Sequence, residues 1–266
     1  MVKPGRKFNA VRVSGAVLVC FVLCQFSSRA RPVADDSRTG QQALNLLLVG
    51  RKMCSNDVST RGALIVLEGL DRTGKSTQTM RLVEELEKRG KHAEAWRFPD
   101  RSTPLGKVIG EYLQKTKDLD DRAIHLLFSA NRWEKRAEMM NKLSQGITLV
   151  VDRYAFSGVA FSSAKAGLPL EWCRQPDVGL PKPDLVVFLY ADIDVLKTRG
   201  GYGLERYENE TFQRAVANRY AELQDETWVR IDATAEPEHI AKDILSAVER
   251  STKHLSDDVG KLWSDL

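Results

Sequence analysis

Short uninterrupted apolar runs alternate along the chain with longer stretches in which apolar residues recur every three or four positions. Leu64–Leu67, Ile147–Val151 and Leu185–Tyr190 carry no polar alternation, the pattern of strands buried on both faces of a parallel sheet. His92–Phe98 and Trp228–Ile231 read as two more strands. Between them the helical period predicts Thr77–Arg89, with Met80, Val83 and Leu86 as its core stripe and Gly90 as its stop. Pro104–Lys115 follows, then Leu119–Met140, which has Asp120 and Asp121 near its start, where the helix dipole favours acids. Further helices are predicted near Ser157–Lys165 and over Ile193–Arg199, Glu210–Gln224 and Pro237–Arg250, and Gln175–Pro183 reads as a proline-punctuated loop. Five strands alternating with helices imply an α/β fold, a five-stranded parallel sheet with helices on both faces.

The first run ends in Gly69-x-x-x-x-Gly74-Lys75-Ser76 and opens onto a helix, which is the pattern of a phosphate-binding loop. A chance match in a chain of this length has odds of about one in a hundred. Gly69 and Gly74 let the chain turn so that backbone N–H groups point at one anion, which also sits at the positive end of the following helix. Gly69, Leu70, Asp71, Arg72, Thr73, Gly74, Lys75, Ser76 and Thr77 would cradle the nucleotide, with Lys75 on the β/γ-phosphates and the Ser76 hydroxyl on Mg²⁺. The fold is therefore expected to be a P-loop NTPase.

Composition narrows the rest. Of the 266 residues, 42% are hydrophobic and 29% charged, enough for one sizeable α/β domain plus an extension. The formal charge of +4 is concentrated at the front. Residues 1–60 hold nine Lys/Arg against three Asp/Glu, and residues 61–266 hold 31 against 33, so no general surface for nucleic acid is indicated. Four cysteines and four histidines show no disulfide, zinc or other metal spacing.

Residues 1–34 contain Lys3, Arg6, Lys7, Arg12, Arg29 and Arg31 but no acid, and enclose an uncharged stretch from Val13 to Ser28. This reads as a targeting leader, too short for a stable membrane span of about twenty residues. Its basic character favours a mitochondrial or other organelle presequence, whereas its apolar core favours a secretory signal. Residues 35–60 read as linker, and translation from Met53 would remove the leader and leave a cytoplasmic or nuclear protein. Residues 61–252 form the expected catalytic domain and 253–266 a C-terminal tail.

The loop alone leaves the second substrate open. The nearest approach to a guanine signature, Asn141-Lys-Leu-Ser144, lacks its acid, so a GTPase is excluded. A small kinase and an ATPase module remain. Arg101, Arg132 and Arg153, at or near the carboxyl ends of strands, favour a kinase whose acceptor is itself a phosphate.

Several segments together resemble the thymidylate kinase family: the loop Gly69–Gln78, Arg97-Phe-Pro-Asp-Arg-Ser102, His125–Trp133, Asp152–Phe161, Gln175–Asp184 and Arg206-Tyr-Glu208. The resemblance covers residues 61–250 in the family's order. It implies a nucleoside monophosphate kinase type of fold with a short lid, and transfer of the ATP γ-phosphoryl to dTMP with Mg²⁺, giving dTDP. It also implies a homodimer. Arg101 and Arg153 would clamp the acceptor phosphate, and Asp152 would help organise the metal. Phe128 would stack on thymine and Arg132 would bond its edge; four apart on one helix, they share a face. Asp71 would meet the sugar 3′-hydroxyl and Tyr207 would crowd the 2′ position, with Phe98, Gly158 and Phe161 completing the substrate pocket. Arg72, in the loop as in the eukaryotic type, would act as an arginine finger in cis. The lid, about Arg199–Glu208, is glycine-rich enough to hinge, and Arg199 is either an adenine-stacking residue or a solvated helix-end cation. Asp100 stands where animal relatives are expected to carry Glu, with no change of function anticipated. A UMP or CMP kinase is the alternative enzyme, and a non-kinase P-loop ATPase module the alternative from another class.

Overall fold

The computed structural model describes residues 61–200 and 205–264. The expected leader and linker, Met53, and lid residues 201–204 lie outside the described residues. The strands are β1 (Leu64–Gly69), β2 (Ala93–Arg97), β3 (Thr148–Asp152), β4 (Leu185–Tyr190) and β5 (Trp228–Asp232). They form one sheet in the order β2-β3-β1-β4-β5, and every pairing is parallel. The helices are α1 (Lys75–Lys88), α2 (Pro104–Leu113), α3 (Asp121–Ser144), α4 (Ala155–Ser163), α5 (Leu170–Arg174), α6 (Ile193–Lys197), α7 (Glu210–Leu223) and α8 (Pro237–Ser251).

The unbroken apolar character of β1 has a direct cause. Leu64 and Val66 enter a core shared with α3, α4 and α7, while Ile65 and Leu67 enter a second core shared with α1 and α8. A strand covered on both faces leaves no position for a solvated side chain. Glu68 is the exception and is fully buried. Its carboxylate accepts the backbone N–H groups of Tyr154 at 2.9 Å and Ser157 at 3.1 Å, and the hydroxyls of Ser157 at 2.5 Å and Tyr220 at 2.9 Å. One acid thereby satisfies the otherwise unpaired donors at the start of α4 and ties β1 to α7.

The structure corrects the predicted core stripe of α1. Its buried face carries Thr79, Leu82, Val83 and Leu86, and Met80 is 53% exposed. Three-residue steps drift by about 60° per step around a 3.6-residue helix, which carries Met80 off the face that Leu86 occupies. α3 begins at the predicted acids, with the Asp120 carboxylate accepting from the N–H groups of Arg122 and Ala123, and it runs a turn further than predicted, to Ser144. The stretch expected as loop from Gln175 opens on a 3₁₀ turn, Gln175–Asp177, preceded by the unpredicted α5. Elements this short present too few residues for a period to be read. Among the described residues no helix is long and apolar enough to cross a membrane.

The segment after α8 folds back onto the domain. The Leu262 N–H donates to the Leu180 carbonyl and its own carbonyl accepts from Gly179, Leu262 is buried, and the Trp263 ring meets Phe156 edge-on at 5.5 Å.

Candidate active site

The carboxyl ends of β1, β2 and β3 converge with the N-terminus of α1, the edge at which open α/β sheets hold ligands. A cavity of about 600 Å³ lies there. The turn out of β1 requires Gly69: φ is 144°, and a Cβ would stand 2.3 Å from the Leu189 carbonyl oxygen of the neighbouring strand. Lys75 is buried, and its ammonium donates to the Leu70 carbonyl at 2.5 Å and to the Thr73 hydroxyl at 3.2 Å. Burial, with the nearby Arg153 guanidinium, lowers its pKa to about 7. The Ser76 hydroxyl donates to Asp152 Oδ2 at 2.5 Å, so a hydroxyl and a carboxylate oxygen meet beside the loop. Two hard oxygen donors suit Mg²⁺, which keeps most of its ligands as water and substrate phosphate.

Arg72 and Arg153 both hold left-handed backbone, φ 66° and 68°, a conformation that costs a non-glycine residue about 1–3 kcal/mol and clusters at ligand sites. Arg153 donates to Asp71, to the Gly69 carbonyl and to Ser157 Oγ, and its guanidinium lies 5.2 Å from the Phe161 ring centre. Burial opposes its charge, but Asp71 and Asp152 hold its pKa raised. Arg72 Nε donates to Glu208 Oε1 at 2.8 Å and Nη1 to the Gly200 carbonyl. Arg101 pairs with Glu205 at 2.9 Å. The lid thus lays one carboxylate on each of these two arginines.

Arg132 also lines the cavity. It is buried and forms a forked pair with the fully buried Asp177, Nε to Oδ1 at 3.1 Å and Nη2 to Oδ2 at 2.6 Å. Ser129 donates to the same carboxylate at 2.7 Å. Nη1 has no protein partner among the described residues, and Arg132 lines the cavity with Phe128, one turn earlier on α3.

A family model described as thymidylate kinase matches residues 67–244. The thymidylate kinase of Danio rerio is 54% identical over 76% of this chain and 98% of its own. That of Homo sapiens is 52% identical with the same coverage. The solved thymidylate kinase of Candida albicans is 37% identical, covers 76% of this chain and 98% of its own, and superposes with a TM-score of 0.71. The chain belongs to the thymidylate kinase family.

For a thymidylate kinase, the residues singled out from sequence fall in one place. Asp71, Arg72, Gly74, Lys75, Ser76, Thr77, Phe98, Arg101, Phe128, Arg132, Asp152, Arg153, Gly158, Phe161, Arg199 and Tyr207 all line the cavity. Gly69, Leu70 and Thr73 sit behind it as the loop's frame, the last two through the Lys75 hydrogen bonds. Arg199 lies beyond the end of α6 and spans two carbonyls, Arg72 at 2.7 Å and Ala233 at 2.6 Å, so it is not a solvated helix-end cation. Tyr207 stacks on Phe212 and donates to the Tyr112 hydroxyl at 3.3 Å.

Sequence reasoning missed four polar residues here: Asp177, Glu205, Glu208 and Gln213. Asp177 and Glu208 stand inside segments that carried the resemblance, and a buried arginine needs a carboxylate partner, which was signal enough to look for one. Glu205 and Gln213 had no local signal. Two buried groups that do not line the cavity, His125 and Cys173, are framework. His125 is neutral, its pKa lowered by burial to about 4, and it bridges Ser162 Oγ and the Cys173 carbonyl. The Cys173 thiol is pushed up to about 11 by burial.

Proposed function

We propose that this protein transfers the γ-phosphoryl group of ATP to the 5′-phosphate of dTMP, giving ADP and dTDP, a step in dTTP supply for DNA synthesis. One observation carries the reading: a single cavity is lined both by the phosphate loop, through Lys75 and Ser76, and by a buried arginine fixed by a buried acid, Arg132 on Asp177. A phosphate loop explains ATP. A forked guanidinium beside an aromatic ring explains a flat base with an acceptor edge.

In this reading the loop N–H groups and Lys75 hold the β- and γ-phosphates, with Arg199 on the nucleotide side. Arg101 and Arg153 bind the acceptor phosphate, which is ionised near neutral pH and needs no general base. One of its oxygens attacks the γ-phosphorus in line as the bond to the β-phosphate oxygen breaks, and that electron pair leaves with ADP. Arg72 neutralises charge spread over the transferring group. Phe128 stacks on thymine, Arg132 bonds its edge, and Asp71 accepts the sugar 3′-hydroxyl. Phe98, Gly158, Phe161 and Tyr207 shape the remaining wall, Tyr207 against a 2′-hydroxyl. Ser76 and Asp152 are the residues that would hold Mg²⁺, which would supply positive charge to offset that of the phosphates.

The test is ADP release by the full chain with ATP, Mg²⁺ and, in turn, dTMP, dUMP, UMP, CMP, AMP and GMP. Strong preference for dTMP is expected. Equal or better turnover of UMP or CMP would retain a kinase and reject the base pocket, and release independent of any monophosphate would reject the kinase.

Two further parts of the reading are separate. A homodimer is proposed through α3, which leaves Leu126 and Trp133 exposed two turns apart, and sedimentation of the purified chain checks it. The basic leader is proposed to direct the protein to an organelle, the mitochondrion first. Fluorescent fusions beginning at Met1 and at Met53 are expected to localise differently.

A further inference from the structure

Gln213, in the first turn of α7, is 2% exposed and makes three side-chain hydrogen bonds, two to Asp71, 142 positions earlier, and one to Tyr207, six positions earlier. Its Nε2 donates to Asp71 Oδ2 at 2.7 Å and to the Tyr207 carbonyl at 2.9 Å, and its Oε1 accepts the Asp71 backbone N–H at 3.3 Å. The remaining Asp71 oxygen takes the Arg153 guanidinium. Asp71 is therefore gripped from two sides, and the grip from Gln213 reaches both its backbone and its carboxylate. The same amide fixes the main chain that carries the Tyr207 ring.

A primary amide is the chemistry this position requires. It has to donate twice and accept once in a buried space. A carboxylate would present an acceptor to Asp71, and a hydrocarbon would leave the Asp71 N–H and the Tyr207 carbonyl unpaired. The backbone of Asp71 precedes the strained Arg72, so its position is set by these contacts rather than by local preference.

We infer that Gln213 is a positioning residue for sugar selection: by joining Asp71 to the backbone of Tyr207 it sets the distance between the group that accepts the 3′-hydroxyl and the ring that excludes a 2′-hydroxyl. This rests on the proposed dTMP kinase activity. Asp71 and Tyr207 come from opposite parts of the chain, the phosphate loop and the lid. Arg72 also joins loop to lid through Glu208, but Gln213 is the side chain that bonds both Asp71 and the Tyr207 main chain, so it sets their spacing at the sugar.

The experiment compares the full-length wild type with Gln213→Leu and Gln213→Asn on three acceptors: dTMP, its 3′-deoxy analogue and its 2′-hydroxy (ribo) analogue. Wild type is expected to turn over dTMP, and failure to do so would overturn the kinase reading itself. In Gln213→Leu, kcat/KM for dTMP is expected to fall by about tenfold to a hundredfold, carried mainly by KM. The 3′-deoxy analogue has no hydroxyl for Asp71 to accept and is expected to change by less than about threefold. The preference for dTMP over the ribo analogue is expected to shrink. Gln213→Asn keeps the amide but withdraws it by one methylene, and is expected to show the same selective loss, smaller in size. A uniform loss on all three acceptors, in whichever variant folds, would show Gln213 to be framework only and overturn the inference.

Discussion

Gly158 and Arg132 are fitted to each other so closely that a Cβ on Gly158 would stand 2.7 Å from Nη2 of Arg132. The glycine is needed because α4 passes directly over a guanidinium that Asp177 holds in place. Gly158→Ala is expected to displace Arg132, raising KM for dTMP at least tenfold with KM for ATP nearly unchanged. Steady-state kinetics with each substrate varied in turn checks this.

Asp177→Asn leaves the Arg132 charge buried with a weaker partner. Breaking a buried pair on one side costs about 3–5 kcal/mol. Denaturant unfolding is expected to show a loss approaching that size, together with a higher KM for dTMP. An unchanged midpoint would mean that Arg132 recovers water on losing its partner.

Arg72 is held by Glu208 and by the Gly200 carbonyl. Arg72→Ala is expected to lower kcat by about 10³-fold or more while changing ATP affinity far less. Glu208→Gln releases the guanidinium for phosphate, and because the pair is partly solvated its removal is expected to tighten ATP binding only a few-fold. Calorimetric titration with a non-hydrolysable ATP analogue measures the second effect, and weaker binding would place Glu208 on the side of the bound state.

Lys75 gives a pH signature. Burial and Arg153 lower its pKa to about 7, so at pH 8 the free site holds mostly neutral amine. The β- and γ-phosphates of ATP favour the ammonium, so binding at pH 8 is expected to take up a proton. Titrations in buffers of different ionisation enthalpy read this directly, and Lys75→Met should abolish it. The sign for stability follows. The folded pKa lies below the unfolded value, so the unfolded chain binds more protons between about pH 7 and 10.5, and the ligand-free protein gains stability as pH rises through that window.

The C-terminal segment is part of the core. Leu262→Ala is expected to cost about 2–4 kcal/mol, because a buried leucine is lost where its backbone is pinned to Leu180 and the site has little freedom to collapse. Thermal unfolding checks this. Activity at low temperature should be retained, since the cavity lies at the carboxyl ends of the strands and Leu262 does not line it.

What could be read from the sequence was whatever depends on neighbours along the chain. The uninterrupted apolar runs marked β1, β3 and β4 because a strand covered on both faces must be apolar throughout, the edge strands β2 and β5 were legible despite their charged positions, and Gly69–Ser76 marked the phosphate loop because its chemistry sits within eight residues. Met80 was misplaced because a three-residue step approximates the helical period only briefly. Glu68 escaped notice since one acid in a buried strand gives no hint of the four donors that wait for it.

The partners of the charged residues were decided by the fold alone. Arg132 finds Asp177 45 positions away, Arg72 finds Glu208 at 136, and Asp71 finds Gln213 at 142. A hydrogen bond or ion pair acts over about 3 Å, and no local periodicity encodes which distant element will arrive at that range. The sequence by itself determined the architecture and the residue types at the site. The parallel pairing of β1, β2 and β3 within one sheet, which brings their carboxyl ends to one edge, decided which of those residues hold one another.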